Sequence, residues 1–236
     1  MEEIRINKYL ADKGMASRRE VDKLIQAGKV FVNGEKALLG QKVKDTDEVT
    51  LQRKARVQME RNRQYLLFNK PKGIVTVNAQ KGEQSIQDIL KLDKGVVPIG
   101  RLDKESTGLI LLTNDGRVTK KLLSPDSKQE KEYVVSVNKR ISDTELKSLE
   151  DGLTLEDGLK TKPAKTKRLA TNSFSITIQE GKRHQIRRML AALRLEVKSL
   201  KRVRIANLIL GSLAPGKLTA LSKQESKDFL AFLGLR

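Results

Sequence analysis

The first fifty residues have apolar side chains first at helical spacing and then at strand spacing. Ile6 and Leu10 stand four residues apart, as on one face of a short helix, and Gly14 can end that helix. Ser17 and Glu20 have the spacing of a capping box and predict the start of a second helix. The buried face and the end of this second helix are predicted at Val21, Leu24, Ile25 and Gly28.

A small β-structure is predicted directly after these helices. Residues 30–32 have the apolar, β-branched character of a strand, and Asn33-Gly34 is a typical two-residue hairpin turn. The same sheet is predicted to continue through Val43, Val49 and Leu51. Residues 1–51 are therefore expected to form a small αβ domain.

Residues 52–62 lose this periodicity. The segment is rich in Arg, Gln and Lys and shows little regular spacing of apolar side chains. Such a composition is typical of a linker, which we expect to be mobile without a bound partner. Residues 63–236 then form a second, larger domain.

Strands predominate in the pattern of the larger domain. They are predicted at residues 65–68, 74–77, 96–99, 109–113, 131–137, 174–178 and 197–205. Helices are predicted at residues 85–90, 117–123, 142–152 and 184–193, and around Phe229 near the C-terminus. Most connections are short enough for hairpins. The pattern predicts an α+β fold, with a mixed, mainly antiparallel sheet flanked by helices.

The charge of the chain indicates a polyanionic partner. Lys and Arg number 48 against 29 Asp and Glu, which gives a formal net charge of +19. An excess of this size causes strong self-repulsion unless a polyanion neutralises it. Nucleic acid is the first candidate and an anionic membrane surface is the second. No apolar run approaches the roughly 20 residues that span a bilayer, and the N-terminus lacks the apolar core of a secretory signal. We therefore expect a cytoplasmic protein without a membrane partner.

The residue inventory also restricts the chemistry. The sequence has no cysteine and one histidine, His184. Disulfides, thiolate metal sites and histidine-rich metal sites are therefore excluded. No glycine-rich phosphate-binding motif is present, and we expect neither a metal nor a cofactor.

One polar loop stands out between two apolar runs. Gly100 and Gly108 bound it, and Asp103 lies near its middle. Strands on both sides can hold a carboxylate in a fixed position, and glycines let a ligand approach the backbone closely. The alternative is a turn or helix-capping aspartate, which is the commonest role of a loop aspartate.

Three runs of residues around Asp103 distinguish these alternatives. They are Gly100-Arg101-Leu102-Asp103, Ser106-Thr107-Gly108-Leu109 and Leu112-Thr113-Asn114-Asp115-Gly116. Together they resemble the signature loop of pseudouridine synthases, most of all the RsuA/RluB/RluE/RluF group that modifies bacterial ribosomal RNA. The N-terminal unit is similar to the small RNA-binding domain first seen in ribosomal protein S-four.

The resemblance implies roles for individual residues. Asp103 would be the essential catalytic carboxylate, and Arg187 would pair with it and orient it bidentately. Tyr133 would lie against the target uracil, although a strand tyrosine is more often a core residue. Arg101 would fill the space that the flipped base leaves, or contact a phosphate. His184 is expected to be structural or RNA-contacting and not the catalyst.

The resemblance and the charge together predict the RNA contacts. The side chains expected to bind RNA are Arg5, Lys8, Arg18, Arg19, Lys23, Lys70, Lys72, Arg101, Lys182, Arg183, Arg188 and Arg202. Residues 130–133 and 202–207 resemble the RluF branch, which acts on large-subunit RNA. Residues 181–185 depart from that branch, which usually has an Asn-Arg pair before the glutamine.

The implied activity is isomerisation of a specific uridine to pseudouridine in ribosomal RNA, by base flipping and without a cofactor. Large-subunit (23S) RNA is the favoured target, with ribosomal RNA or a ribosome-assembly intermediate as partner and a monomeric enzyme. Small-subunit (16S) RNA or transfer RNA is an alternative target. A non-catalytic ribosome-assembly factor would bind RNA without forming product, and a DNA-binding regulator is suggested only by the charge.

Overall fold

The computed structural model describes residues 3–124 and 127–235. Its helices are α1 Ile6–Asp12, α2 Arg18–Gln26, α3 Arg53–Arg61, α4 Ile86–Ile89, α5 Gly116–Leu123, α6 Asp143–Asp151, α7 Gln185–Ala192 and α8 Lys223–Phe232. Its strands are β1 Ile4–Arg5, β2 Val30–Val32, β3 Glu35–Lys36, β4 Lys42–Val43, β5 Val49–Leu51, β6 Tyr65–Lys70, β7 Val97–Ile99, β8 Thr107–Thr113, β9 Lys131–Val137, β10 Lys165–Ala170, β11 Ser173–Ile178, β12 Val197–Ile205, β13 Leu208–Ile209 and β14 Leu218–Ala220. Within the described ranges, every helix is too short or too polar to cross a membrane.

The N-terminal helices begin and end where the local signals place them. The Ser17 hydroxyl accepts a hydrogen bond from the Glu20 amide at 3.3 Å, and the Glu20 carboxylate accepts one from the Ser17 amide at 2.7 Å. Asn33 and Gly34 both have positive φ, as the hairpin turn between β2 and β3 requires. The sheet prediction was wrong for Val43, because β4 pairs with β1 in a separate two-stranded sheet while β5 pairs with β2. The core of this unit is formed by Ile6, Leu10, Val21, Leu24, Ile25, Val30 and Val43.

The segment expected to be an irregular linker contains a helix instead. In α3, Ala55 is buried against the N-terminal core and Met59, one turn later, packs on the same core. Arg56 and Glu60 form an ion pair with four-residue spacing along this helix. Two inward residues are too few to produce a visible amphipathic period, which is why the sequence pattern missed the helix.

Both ends of α3 are tied to structured residues. At its start, the Gln52 amide donates to the Lys29 carbonyl at 2.9 Å. Beyond its end, the Asn114 side chain donates to the Asn62 carbonyl at 2.7 Å and accepts from the Gln64 amide at 2.9 Å. The helix therefore connects the N-terminal core to the start of the larger domain through fixed contacts.

The larger domain is built on one mixed sheet. Its strand order is β10-β11-β9-β12-β8-β6-β14, with β13 beside β12 and β7 beside β8. The β8–β12 pair is parallel, and the other pairs of this sheet are antiparallel. Helices cover both faces, as the α+β prediction required. One face packs on Ile86, Leu146, Leu149, Ile186 and Met189, and the other on Val118, Leu122, Phe229 and Leu233.

The strand predictions differ from the structure in several places, and the short strands β13 and β14 were not predicted. Residues 74–77 do not form a strand, since only Val75 makes an isolated bridge, to Ser85. Here Thr76 uses its side chain to bond the backbone of another segment, which replaces strand pairing. Conversely, β10 was not predicted, because its Lys165–Ala170 sequence is polar and it lies exposed at the edge of the sheet.

Candidate active site

Asp103 lies in the connection between β7 and β8, at one end of the central sheet. β7 ends at Ile99, Gly100 turns the chain with φ of +76°, and β8 begins at Thr107. The Asp103 side chain is 37% exposed. A carboxylate on a short connection between two paired strands has a defined position and remains accessible to a ligand.

The residues on either side of Asp103 are fixed by buried polar groups. The Thr76 hydroxyl donates to the Leu102 carbonyl at 2.7 Å and accepts from the Leu102 amide at 2.9 Å. The Lys104 carbonyl accepts from the Gly73 amide at 2.9 Å and from the Lys70 ammonium at 3.3 Å. The segment after β6 thus holds the loop immediately before and after the carboxylate.

Lys70 was expected to contact RNA, and this was wrong. Its side chain is fully buried, and its ammonium donates to the carbonyls of Pro71, Ile74 and Lys104 at 2.9, 2.6 and 3.3 Å. Three donors thus meet three acceptors, an arrangement that satisfies a buried ammonium. Burial lowers the pKa of Lys70 to about 8, against the opposing effect of the Asp103 and Glu105 charges.

We expect Lys70→Met to lower the free energy of unfolding of the larger domain by roughly 2 kcal/mol at pH 7. The reason is that the carbonyls of Pro71, Ile74 and Lys104 lose a donor, at roughly 1–3 kcal/mol for each group left unpaired and buried, a cost that the removal of a buried charge partly offsets. Between the folded pKa of about 8 and the ordinary value of 10.5, the unfolded chain binds more protons at Lys70 than the folded chain. Stability from this group therefore rises with pH in that window, and the gap between wild type and Lys70→Met widens.

Urea unfolding followed by circular dichroism at pH 7.0, 8.5 and 9.5 measures this gap. Lys72→Met is the matched control, because Lys72 is exposed and pairs with Glu105 at the surface. A gap that stays constant or narrows above pH 8 would contradict the assignment of the shifted pKa to Lys70.

Helix α7 brings Arg187 to the same carboxylate. Arg187 Nε lies 3.9 Å from Asp103 Oδ2, and its Nη2 donates to the Ser106 hydroxyl at 3.3 Å. The predicted bidentate contact between Arg187 and Asp103 is therefore not observed. Instead, one guanidinium spans the carboxylate and the hydroxyl at the end of the same loop.

His184 is the residue whose position the sequence reasoning missed. It precedes α7, and its Nε2 lies 3.3 Å from Asp103 Oδ1, nearer than the Arg187 nitrogen. Its side chain is 46% exposed. No local signal shows this proximity, because the two residues are brought together only when α7 packs beside the β7–β8 connection.

Tyr133 lies on a central strand of the sheet, in the same row as Gly108 near the Asp103 loop. It lies on β9 opposite Arg202 of β12, and Arg202 in turn lies beside Gly108 of β8. Lys70 pairs with Gly108 from the other side. Tyr133 is 8% exposed and belongs to the larger core cluster. One row of the sheet therefore joins the tyrosine to the end of the Asp103 loop.

Arg202 was also expected to contact RNA, and its burial contradicts this. It is 4% exposed, and its Nε donates to the Leu109 carbonyl at 2.7 Å. Gly108 permits this close packing, because a Cβ at that position would lie 2.2 Å from the Arg202 carbonyl oxygen. Arg202 thus ties β12 to β8 under the site.

The remaining predicted RNA contacts divide into exposed and paired groups. Arg188 pairs with Asp157 at 2.6 Å and Glu156 at 3.4 Å, so two carboxylates already balance its charge. Lys72 pairs with Glu105 at 3.0 Å but stays exposed. The other candidates are exposed: Arg5, Lys8, Arg18, Arg19, Lys23, Arg101, Lys182 and Arg183.

Comparison with known proteins identifies the family of this chain. Residues 64–192 match the model of the RNA pseudouridylate synthase family. The chain belongs to this family. Residues 4–49 match the model of the S4 domain, so the synthase carries that domain before its catalytic fold.

Several relatives match the synthase over almost its whole length. RluF of Escherichia coli strain K12, a dual-specificity RNA pseudouridine synthase, is 38% identical over 98% of this chain and 79% of its own. Ribosomal large subunit pseudouridine synthase B of Bacillus subtilis is 39% identical over 96% of each chain. A crystal structure of a pseudouridylate synthase superposes with a TM-score of 0.69, at 29% identity, over 95% of this chain and 98% of the other.

Proposed function

We propose that this synthase isomerises a specific uridine of ribosomal RNA, with large-subunit RNA as its main substrate and Asp103 as its catalytic carboxylate. The observation that carries the proposal is the fixed, accessible position of Asp103. Its neighbours Leu102 and Lys104 are bonded to Thr76 and Lys70, and its two oxygens face His184 and Arg187.

The chemistry requires no oxidant or reductant. The N1–C1′ bond breaks with its electron pair on the base, the uracil turns, and C5 bonds to C1′. The C5 proton is then lost and N1 gains a proton. Asp103 can serve by attacking C1′, by attacking C6, or by stabilising charge as a glycal forms. All three roles require an ionised carboxylate, and the Arg187 guanidinium lies 3.9 Å from Asp103 Oδ2.

The target base must leave its helix to reach Asp103. The exposed arginines and lysines of the N-terminal domain, residues 1–51, provide phosphate contacts that hold a folded RNA. Arg101 is exposed two residues before Asp103, where it can contact the RNA backbone or the space that the base leaves. Large-subunit RNA is favoured because the Bacillus subtilis relative is named for that subunit.

A second RNA substrate is also proposed. The dual-specificity name of the Escherichia coli relative, which covers 98% of this chain, is the observation that favours it. Transfer RNA is the first molecule to test, since the same exposed basic groups can contact its phosphates.

Tritium release from 5-tritiated uridine tests the function directly. Purified protein is incubated with large-subunit RNA, small-subunit RNA and transfer RNA, and pseudouridines are located in ribosomal RNA from cells with and without the gene. We expect release from large-subunit RNA and loss of one position in the deletion strain. Release only from small-subunit or transfer RNA would contradict the proposed target, and binding without release from any RNA would indicate a non-catalytic factor.

Tyr133→Phe separates two roles of the tyrosine. Phe keeps the ring that packs on the core and removes only the hydroxyl, so the fold and RNA affinity should persist. If the hydroxyl transfers the C5 proton, turnover should fall about 10²-fold or more. Single-turnover rates of Tyr133→Phe and the wild-type protein at saturating RNA distinguish the two roles. Wild-type turnover would limit Tyr133 to packing against the base.

A further inference from the structure

The two oxygens of Asp103 have different partners. His184 Nε2 lies 3.3 Å from Oδ1, whereas Arg187 Nε lies 3.9 Å from Oδ2. Only the shorter distance approaches the range of a hydrogen bond. The arginine therefore supplies charge at a distance, and the imidazole is the group placed to fix the orientation of the carboxylate.

The backbone of His184 has an uncommon conformation. Its φ of 52° and ψ of 25° lie in the left-handed region, which non-glycine residues rarely adopt and which favours Asn and Gly. His184 occupies the N-cap position of α7, yet its side chain makes no capping hydrogen bond. The conformation is thus not used to cap the helix, and the side chain is directed to Asp103 instead.

Surrounding contacts maintain this conformation. Gln185 is buried, its Oε1 accepts from the Lys182 amide at 3.0 Å, and its Nε2 donates to Glu180 at 2.7 Å. The His184 carbonyl accepts from the Arg188 amide at 2.9 Å, which starts the helix. Strained residues that are fixed in this way are concentrated at functional sites.

We propose that His184 is a positioning residue for Asp103. The imidazole beside Oδ1 restricts the carboxylate to one orientation, while Oδ2 remains available for the reaction. The inference rests on the proposed catalytic role of Asp103. A displacement of about 1 Å at a reacting group can cost about 10²-fold in rate, so a group that fixes one carboxylate oxygen has a measurable effect.

An RNA phosphate contact is the main competing role for an exposed imidazole. The two roles predict different losses. A positioning residue affects the rate of the bound complex, whereas a phosphate contact affects affinity. Arg183 provides a matched comparison, because it is the exposed cationic neighbour of His184 in the same turn.

His184→Gly is the informative variant, because glycine adopts a positive φ without strain. We expect the single-turnover rate of tritium release at saturating RNA to fall about 10–100-fold with unchanged RNA affinity. Added free imidazole should restore part of that rate, since it can occupy the vacated space beside Oδ1. Arg183→Ala should show the opposite pattern, with weaker binding and a wild-type rate.

Other outcomes would overturn the proposal. They are a wild-type rate in His184→Gly, or weaker binding with a normal rate at saturation. A third outcome combines two variants. If imidazole fails to restore the rate of His184→Gly, and His184→Asn has the wild-type rate, the positioning role of His184 is also refuted. Asparagine tolerates the same backbone conformation but lacks the imidazole. Thermal unfolding of each variant identifies a folding defect. If His184→Gly is misfolded, the single-turnover rate of His184→Asn alone decides whether His184 positions Asp103. Absence of tritium release by the wild-type protein would instead refute the proposed function.

Discussion

Asp103→Asn should abolish tritium release while RNA affinity and thermal stability stay close to wild type. Asparagine has nearly the same shape as aspartate but carries no charge, so it can neither form the covalent bond nor stabilise developing positive charge. The loss of turnover should be on the order of 10⁴-fold or more, as for the removal of other essential catalytic groups. Because the loop is fixed through the backbone of Leu102 and Lys104, the substitution leaves its anchors intact.

Glu105→Gln is the matched control for this experiment. Glu105 lies on the same loop, two residues away, is exposed, and pairs with Lys72 at 3.0 Å. Its neutralisation removes one negative charge without touching the proposed catalytic group. Turnover should therefore stay within about twofold of wild type, in keeping with the small effect of surface ion pairs. Retained turnover in Asp103→Asn would remove Asp103 from the mechanism.

Arg187→Ala should reduce turnover about 10²–10³-fold, comparable to the loss of one electrostatic contact at a reacting centre. The substitution removes the guanidinium from Oδ2 of Asp103 and from the Ser106 hydroxyl. Stability should change little, because the unpaired carboxylate remains partly exposed to water. Single-turnover kinetics, RNA binding and thermal unfolding should be measured on the same preparation.

Arg188→Ala serves as the comparison for Arg187→Ala. It lies next in α7 but pairs with Glu156 and Asp157. Its removal should leave the rate at saturating RNA unchanged. If Arg187→Ala instead weakens binding and keeps the wild-type rate, Arg187 is a phosphate contact and not a partner of Asp103.

The sequence predicted best those features that a few neighbouring residues determine. The capping box at Ser17 and the turn at Asn33 both appear in the structure, because their hydrogen bonds join residues at most three positions apart. The bounds of β9 and β12 were also predicted, since both have long runs with strong β propensity. The central sheet follows from these runs.

The buried cations show where sequence reasoning failed. Lys70 and Arg202 were assigned to RNA because basic residues are usually exposed. Lys70 nevertheless stands two residues after Phe68, and Arg202 two after Leu200, so strand alternation directs both toward the core. Applying the two-residue period to charged side chains as well as apolar ones would have identified them.

The contacts of Thr76 and His184 had no comparable signal. Thr76 bonds to Leu102, 26 positions away, and His184 lies beside Asp103 only through the packing of α7 against the loop. Such pairings depend on the tertiary arrangement, which one sequence does not encode in any local pattern. The family resemblance covered the motif residues Asp103, Tyr133 and Arg187 but gave His184 no role at the carboxylate.

Helix α3 lies between the N-terminal domain and the domain that contains Asp103. Its nine residues form a rod of about 13 Å, at about 1.5 Å per residue, that is anchored at both ends. Inserting one residue would turn the far end of α3 by about 100°, against the contacts of Asp12 with Lys120 and of Ser17 with Gly116, whereas adding a full turn would nearly restore the facing and shift it by about 5 Å. The choice of uridine in a folded RNA would then depend on helical phase, so length changes in α3 would redirect modification while leaving every residue of the active site intact.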